Sequence, residues 1–121
     1  MSDRYTSVKT LKELVQRFCE ERDWDQFNNA KDLAISITTE AAELLELFRF
    51  KTEKDIDAML KDPVKREQIG EELADIFYST LRFAQRFGFD LSDELRSKLR
   101  KNAKKYPIEK AKGSNKKYNE V

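Results

Sequence analysis

The apolar residues of this chain recur three and four positions apart over most of its length, a spacing that amphipathic helices satisfy and strands do not. Val8, Leu11, Leu14, Val15 and Phe18 follow Ser7, a suitable N-cap, and predict a first helix ending near Glu21. Residues 22–29 read as a connection. Asn29 with Asp32 three positions later forms a cap signal for a second helix, in which Ile37, Ala41, Leu44, Leu45 and Phe48 make one apolar face. Thr52 with Asp55 opens a short third helix through Leu60, and Asp62 before Pro63 starts a long fourth, because proline suits the first helical turn. Ile69, Leu73, Ile76, Phe77, Leu81 and Ala84 keep its stripe, and Gly88 stands where a left-handed C-cap belongs. Asp90 caps a last helix carrying Leu91, Leu95 and Leu99, which Pro107 ends. With only three glycines and two prolines, a many-stranded fold lacks turn residues, so the expected class is all-α, an antiparallel helical bundle.

At 121 residues the chain fits one domain with a modest core, and the apolar faces on several short helices exceed what that core can hide. Self-association into a homo-oligomer follows as an expectation. Residues 1–107 form the expected domain, and 108–121 a basic, loosely ordered tail, since that segment has too few apolar residues to hold itself in place. The net charge of +1 argues against a nucleic-acid partner, but the charge is unevenly spread. From Lys98 onward there are nine basic and two acidic residues, while the first 97 carry 15 basic and 21 acidic ones. No apolar run approaches the roughly 20 residues that cross a bilayer, and Met1 to Lys9 is too polar for a signal peptide. A single cysteine, Cys19, excludes an internal disulfide, and a cytoplasmic protein with no membrane partner is expected.

There is no histidine. That removes histidine general bases, Ser-His and Cys-His nucleophile pairs and most zinc ligands, leaving carboxylates, lysines or a metal to perform any chemistry. The second helix contains Glu40-Ala-Ala-Glu43 and the fourth Glu72-Leu-Ala-Asp75, the same acidic spacing twice. Residues three apart on a helix lie about 60° apart around the axis and about 4.5 Å along it, so each pair offers two neighbouring carboxylates. Two such pairs on packed helices make a cluster, and clustered acids need a cation. All-oxygen ligands select a hard ion, Mg2+ or Mn2+, which commonly completes its shell with substrate phosphates. Acidic pairs at this spacing also occur on plain solvated helix faces. Here, though, both border an apolar stripe, at Ala41 and Leu44 and at Leu73 and Ile76.

Taken in order, Glu21-Arg-Asp-Trp-Asp-Gln-Phe27, Glu40-Ala-Ala-Glu-Leu-Leu-Glu-Leu-Phe48, Glu71-Glu-Leu-Ala-Asp75 and Lys98 through Asn102 to Lys105-Tyr-Pro107 resemble the all-alpha nucleoside triphosphate pyrophosphohydrolases, often called MazG-like, and especially their dCTP pyrophosphatase branch. The resemblance spans roughly Leu14 to Pro107. It implies that Glu40, Glu43, Glu72 and Asp75 are the metal ligands, and that water attacks the α-phosphorus of a nucleoside triphosphate with pyrophosphate leaving and no covalent intermediate. Glu46 is a candidate base or supporting residue. The family pattern places aromatic rings for the base at Trp24 and Phe50 and sugar or phosphate contacts at Lys98, Asn102, Lys105 and Tyr106, with Lys31 a further candidate. It also implies a tetramer built from dimers. A lone tryptophan is more often a core residue, and such lysines are more often solvated surface.

This chain departs from the pattern in three places. Phe50 stands where the dCTP branch usually has tryptophan, Tyr78 lies one residue before a familiar tyrosine so that Ser79 takes its slot, and Ala30 replaces a proline. The implied substrate is dCTP or a modified deoxypyrimidine triphosphate. The alternatives are the same fold acting on dUTP, several triphosphates or a phosphoribosyl nucleotide, and, in another class, a nonenzymatic helical interaction module whose basic tail meets an acidic partner.

Overall fold

The computed structural model describes residues 1–120; Val121, the last residue of the expected tail, lies outside them. The described residues contain helices and no strand. They form two compact units, residues 1–88 and a second beginning at Phe89. The first holds α1 (Val8–Glu21), α2 (Ala30–Phe48), α3 (Glu53–Lys61) and α4 (Pro63–Phe87); the second holds α5 (Leu91–Lys105) and α6 (Ile108–Ala111).

The capping chemistry sets the helix starts. The Ser7 side chain accepts from the Thr10 amide at 3.1 Å. Asn29 with Asp32 and Thr52 with Asp55 both close complete capping boxes, each satisfying orphan amides in both directions. Asp62 accepts from the Val64 amide at 3.0 Å with Pro63 in the first turn, and Asp90 accepts from Asp93 at 2.9 Å. Ala30 is the first residue of α2, the position at which proline is tolerated without loss of a helical bond. Gly88 ends α4 at φ 76°, in the left-handed region that a side chain would strain. The expected helices all form within a residue of their forecast ends, and α6 is an additional single turn after Pro107.

α4 is the spine of the first unit, with α2, α1 and α3 all packed against it. α2 runs antiparallel to it: Glu40 and Glu43 meet Glu72 and Asp75, while Leu47, later in α2, shares a depression with Lys65, earlier in α4. The fully buried residues are few, Cys19, Leu33, Ser79, Leu81, Arg82 and Ala84. The expected apolar faces are wider than this core. Leu45 on α2 and Leu73 and Phe77 on α4 belong to the forecast stripes yet stand 45 to 60% exposed, because the hydrophobic pattern exceeds what one short bundle can cover. Tyr78 turns toward α1, where its hydroxyl lies 3.0 Å from the Cys19 Sγ and its ring meets Phe18 edge-on. That contact and burial raise the Tyr78 pKa. Ser79, one position on, is buried. No helix among the described residues is long and apolar enough to cross a membrane.

Candidate active site

The i, i+3 spacing on α2 and the same spacing on α4 bring Glu40, Glu43, Glu72 and Asp75 together, with one oxygen of each within 4.8 Å of the others. Antiparallel packing is what makes the two pairs face each other. Glu40 and Glu72 are half-buried, Glu43 and Asp75 exposed, so the cluster lies at the edge of the α2–α4 contact.

Its electrostatics are those of like charges held close together. Burial pushes the Glu40 carboxyl up to about 7, and Glu43, by hydrogen bond and by charge, with Asp75 and Glu72 pushes the same way. Glu72 is raised for the same reasons, burial first and Glu43 next. One oxygen of each, Glu40 Oε2 and Glu72 Oε2, is buried with no hydrogen-bond partner among the described residues. Orphaned buried oxygens in a ring of acids fit a divalent cation: the ion supplies the missing partner and removes the repulsion. The donor set is oxygen only, as hard ions prefer.

The other residues singled out in the sequence distribute as follows. Glu46 lies one turn beyond Glu43 but outside the group of four, paired with Arg49 at 3.1 Å. Trp24 precedes a 3-10 turn at Asp25–Phe27, stays 40% exposed and meets Phe18 edge-on at 5.6 Å. It is therefore not a core tryptophan. An apolar depression lined by Leu14, Val15, Phe18 and Tyr78 adjoins it through the shared Phe18. Phe50 is 89% exposed at φ 63°, with the Arg49 guanidinium 4.6 Å from its ring centre. A bulky residue in that backbone region is strained, and such strain concentrates at functional positions. Lys31 lies exposed in the first turn of α2.

Lys98, Asn102 and Lys105 belong to the second unit, where their i, i+4, i+7 spacing puts them along one side of α5. Tyr106 is the C-cap, and its ring meets Tyr118 edge-on at 6.2 Å while the Lys105 Nζ lies 5.0 Å from the Tyr118 ring centre.

Sequence reasoning missed a second polar assembly. Arg82 on α4 is buried and ion-paired to Asp25, and Arg86 donates to the backbone carbonyl of Asp25 at 3.0 Å and to that of Asn28. Burial lowers the Arg82 pKa. The available signal was an arginine next to Leu81 within the apolar stripe of α4, with a second one turn later.

Fold and acidic cluster together define a class, the all-α pyrophosphatases. The structure superimposes on the crystal structure of a pyrophosphatase from Archaeoglobus fulgidus DSM 4304 with a TM-score of 0.78 at 26% identity, covering 88% of this chain and 98% of that one. In sequence the chain is 32% identical over 115 residues to human dCTP pyrophosphatase 1, covering 95% of this chain and 68% of the relative, and 30% identical over the same span to the mouse protein. The MazG-like family signature matches residues 35–121, and the chain belongs to that family. It is a nucleotide pyrophosphohydrolase.

Proposed function

We propose that the chain hydrolyses dCTP or a modified deoxypyrimidine triphosphate to the monophosphate and pyrophosphate, using Mg2+ held by Glu40, Glu43, Glu72 and Asp75, with Mn2+ as a competent substitute. The observation that carries this reading is the unpartnered acidic ring with its two buried orphan oxygens. When bound, the ion supplies charge neutralisation for the phosphate oxygens and for the charge that develops on the leaving pyrophosphate. The substrate class draws support from the curated relatives, which are named dCTP pyrophosphatases.

The protein's own residues have separable tasks. The four carboxylates fix where the phosphates sit. Glu46, one turn from Glu43 and paired with Arg49, would accept a proton from the attacking water in this reading. Trp24 and Phe50 offer exposed ring faces for a base, and Phe18 with its neighbouring depression offers an apolar edge. Lys31, Lys98 and Lys105 supply mobile positive charge for phosphate oxygens, while Asn102 and Tyr106 can hydrogen-bond a sugar hydroxyl. In this reading the functional domain spans residues 1–107, followed by the basic segment 108–121, and the protein works in the cytoplasm.

Assembly belongs to the same proposal. Leu45, Leu73 and Phe77, left exposed on the two helices that carry the carboxylates, support a homo-oligomer, a tetramer built from dimers.

The test is pyrophosphate release from a panel of purified nucleoside triphosphates, with Mg2+ present and then chelated, for the native chain and for Glu43→Gln. Release that requires Mg2+, is lost in the variant and is fastest for a deoxycytidine nucleotide is expected. Release from no triphosphate would overturn the reading.

A further inference from the structure

Besides the amide hydrogen bonds that Asp23 and Trp24 make back to the end of α1, the connection between α1 and α2 is held by one helix. Arg82 and Arg86, one turn apart on α4, both reach it. The Arg82 side chain, 1% exposed, pairs its Nη2 with Asp25 Oδ1 and donates from Nη1 to Gln85 Oε1. Arg86 Nη1 donates to the carbonyls of Asp25 and Asn28. Side chain and backbone of the connection are thus tied at three points.

A buried guanidinium is a costly way to stabilise a fold. An apolar side chain of similar volume commonly does as well or better, and here the cost is higher still, because Arg82 Nε is buried with no partner among the described residues. What the arrangement supplies is a fixed position. Asp25 adjoins Trp24, whose ring is 40% exposed and touches Phe18 only edge-on, so burial alone does not hold it. The connection also contains Asp23 at φ 54°, the left-handed turn that follows the end of α1.

We propose that Arg82 and Arg86, acting through Asp25 and Asn28, are positioning residues that hold the Trp24–Phe27 turn so that the Trp24 ring stays presented to the base of the bound nucleotide. The inference rests on the reading of Trp24 as a base contact. An aromatic surface fixed in advance saves the ordering cost that a mobile loop incurs on binding, so the benefit falls on substrate affinity and base discrimination rather than on the chemical step.

Trp24 is the only tryptophan in the chain, so its emission reports on this turn alone. The experiment compares the native full-length chain with Asp25→Asn, Arg82→Lys and Arg82→Met, reading acrylamide quenching of Trp24, KM and kcat for dCTP, and the rise in melting temperature on adding Mg2+. Asp25→Asn and Arg82→Met should increase quenching and raise KM about tenfold with kcat within about twofold of native, since lost preorganisation weakens binding without touching the acidic ring. Arg82→Lys should recover part of both losses, and the Mg2+ response should persist in all three. Unchanged quenching and KM alongside a lower melting temperature would overturn the proposal and leave the pair a scaffold element. If Arg82→Met does not fold, Asp25→Asn decides, because that carboxylate side chain is 41% exposed and its change leaves the interior packed. If the native chain hydrolyses no triphosphate, the functional reading fails separately, and unchanged quenching in the variants would still overturn the claim that the pair holds the turn.

Discussion

α4 carries two polar assemblies, and they are opposites. Toward α2 it contributes Glu72 and Asp75 to a ring of like charges with two oxygens left unsatisfied. Toward the α1–α2 connection it contributes Arg82 and Arg86, which are paired with a carboxylate and with backbone carbonyls. The first is incomplete within the chain and calls for something from outside. The second is largely closed on itself, and what it does is hold. The difference lies in partners rather than polarity, since groups of similar charge density serve binding when unsatisfied and positioning when paired.

The largest effect should come from breaking the incomplete assembly. Glu72→Gln removes a ligand and a charge from the ring, and pyrophosphate release should fall about a thousandfold, the scale on which electrostatic groups at a reacting centre act. Initial rates at saturating Mg2+ measure it; a fall of only a few-fold would mean that Glu72 lies outside the reaction.

Next in size is the ion's contribution to folding. Mg2+ at about a hundred times its dissociation constant should add about 2.7 kcal/mol of stability, a rise in melting temperature of several degrees. Glu40→Gln should remove most of that rise. The paired assembly should show no such dependence, and Arg82→Met should keep the full Mg2+ response.

The acidic ring also predicts how stability depends on pH without divalent ions. Glu40 titrates near 7 in the folded chain against 4.5 in the unfolded one, and Glu72 is shifted the same way. The folded state therefore holds these protons more tightly, so their stabilising effect is complete below pH 4.5 and is lost as the pH rises through 7. In EDTA, the native melting temperature should fall relative to that of Glu40→Gln between pH 5 and pH 8, and Mg2+ should cancel the difference. A flat difference curve would show that the ring does not share protons as its geometry implies.

The smallest effect sharpens the contrast. Replacing both members of the ion pair, Arg82→Met with Asp25→Asn, should change global stability by no more than about 1 kcal/mol, because the desolvation cost of the guanidinium disappears along with the attraction. Chemical denaturation would detect a larger loss, and that result would move the pair from positioning to core stability.

The helix starts and the acidic pairs were legible because both are local. A capping box fits within four residues, and Asn29 with Asp32 or Thr52 with Asp55 is read directly from the chain. The acidic pairs are each local to one helix; only their meeting required the fold. The Arg82–Asp25 pair was not legible, since 57 positions separate the partners and neither pattern nor propensity encodes which loop an interior arginine will reach. The extent of burial was legible only as an excess of apolar surface over core. Periodicity placed Leu45, Leu73 and Phe77 on apolar faces without saying how much of each face one small bundle could cover. The single turn of α6 escaped because four residues give no period to detect.

α3 has a consequence for how such proteins can diversify. It is nine residues long, begins with its own capping box and ends where Asp62 starts the next helix, so its limits are written within itself. None of the four ring carboxylates lies on it. A spacer of different length or composition would serve, provided that it reverses the chain and returns α4 in register. The acidic ring and the span that joins its halves are thus separable, and the interval between the two acidic motifs could change in length without altering the four carboxylates themselves.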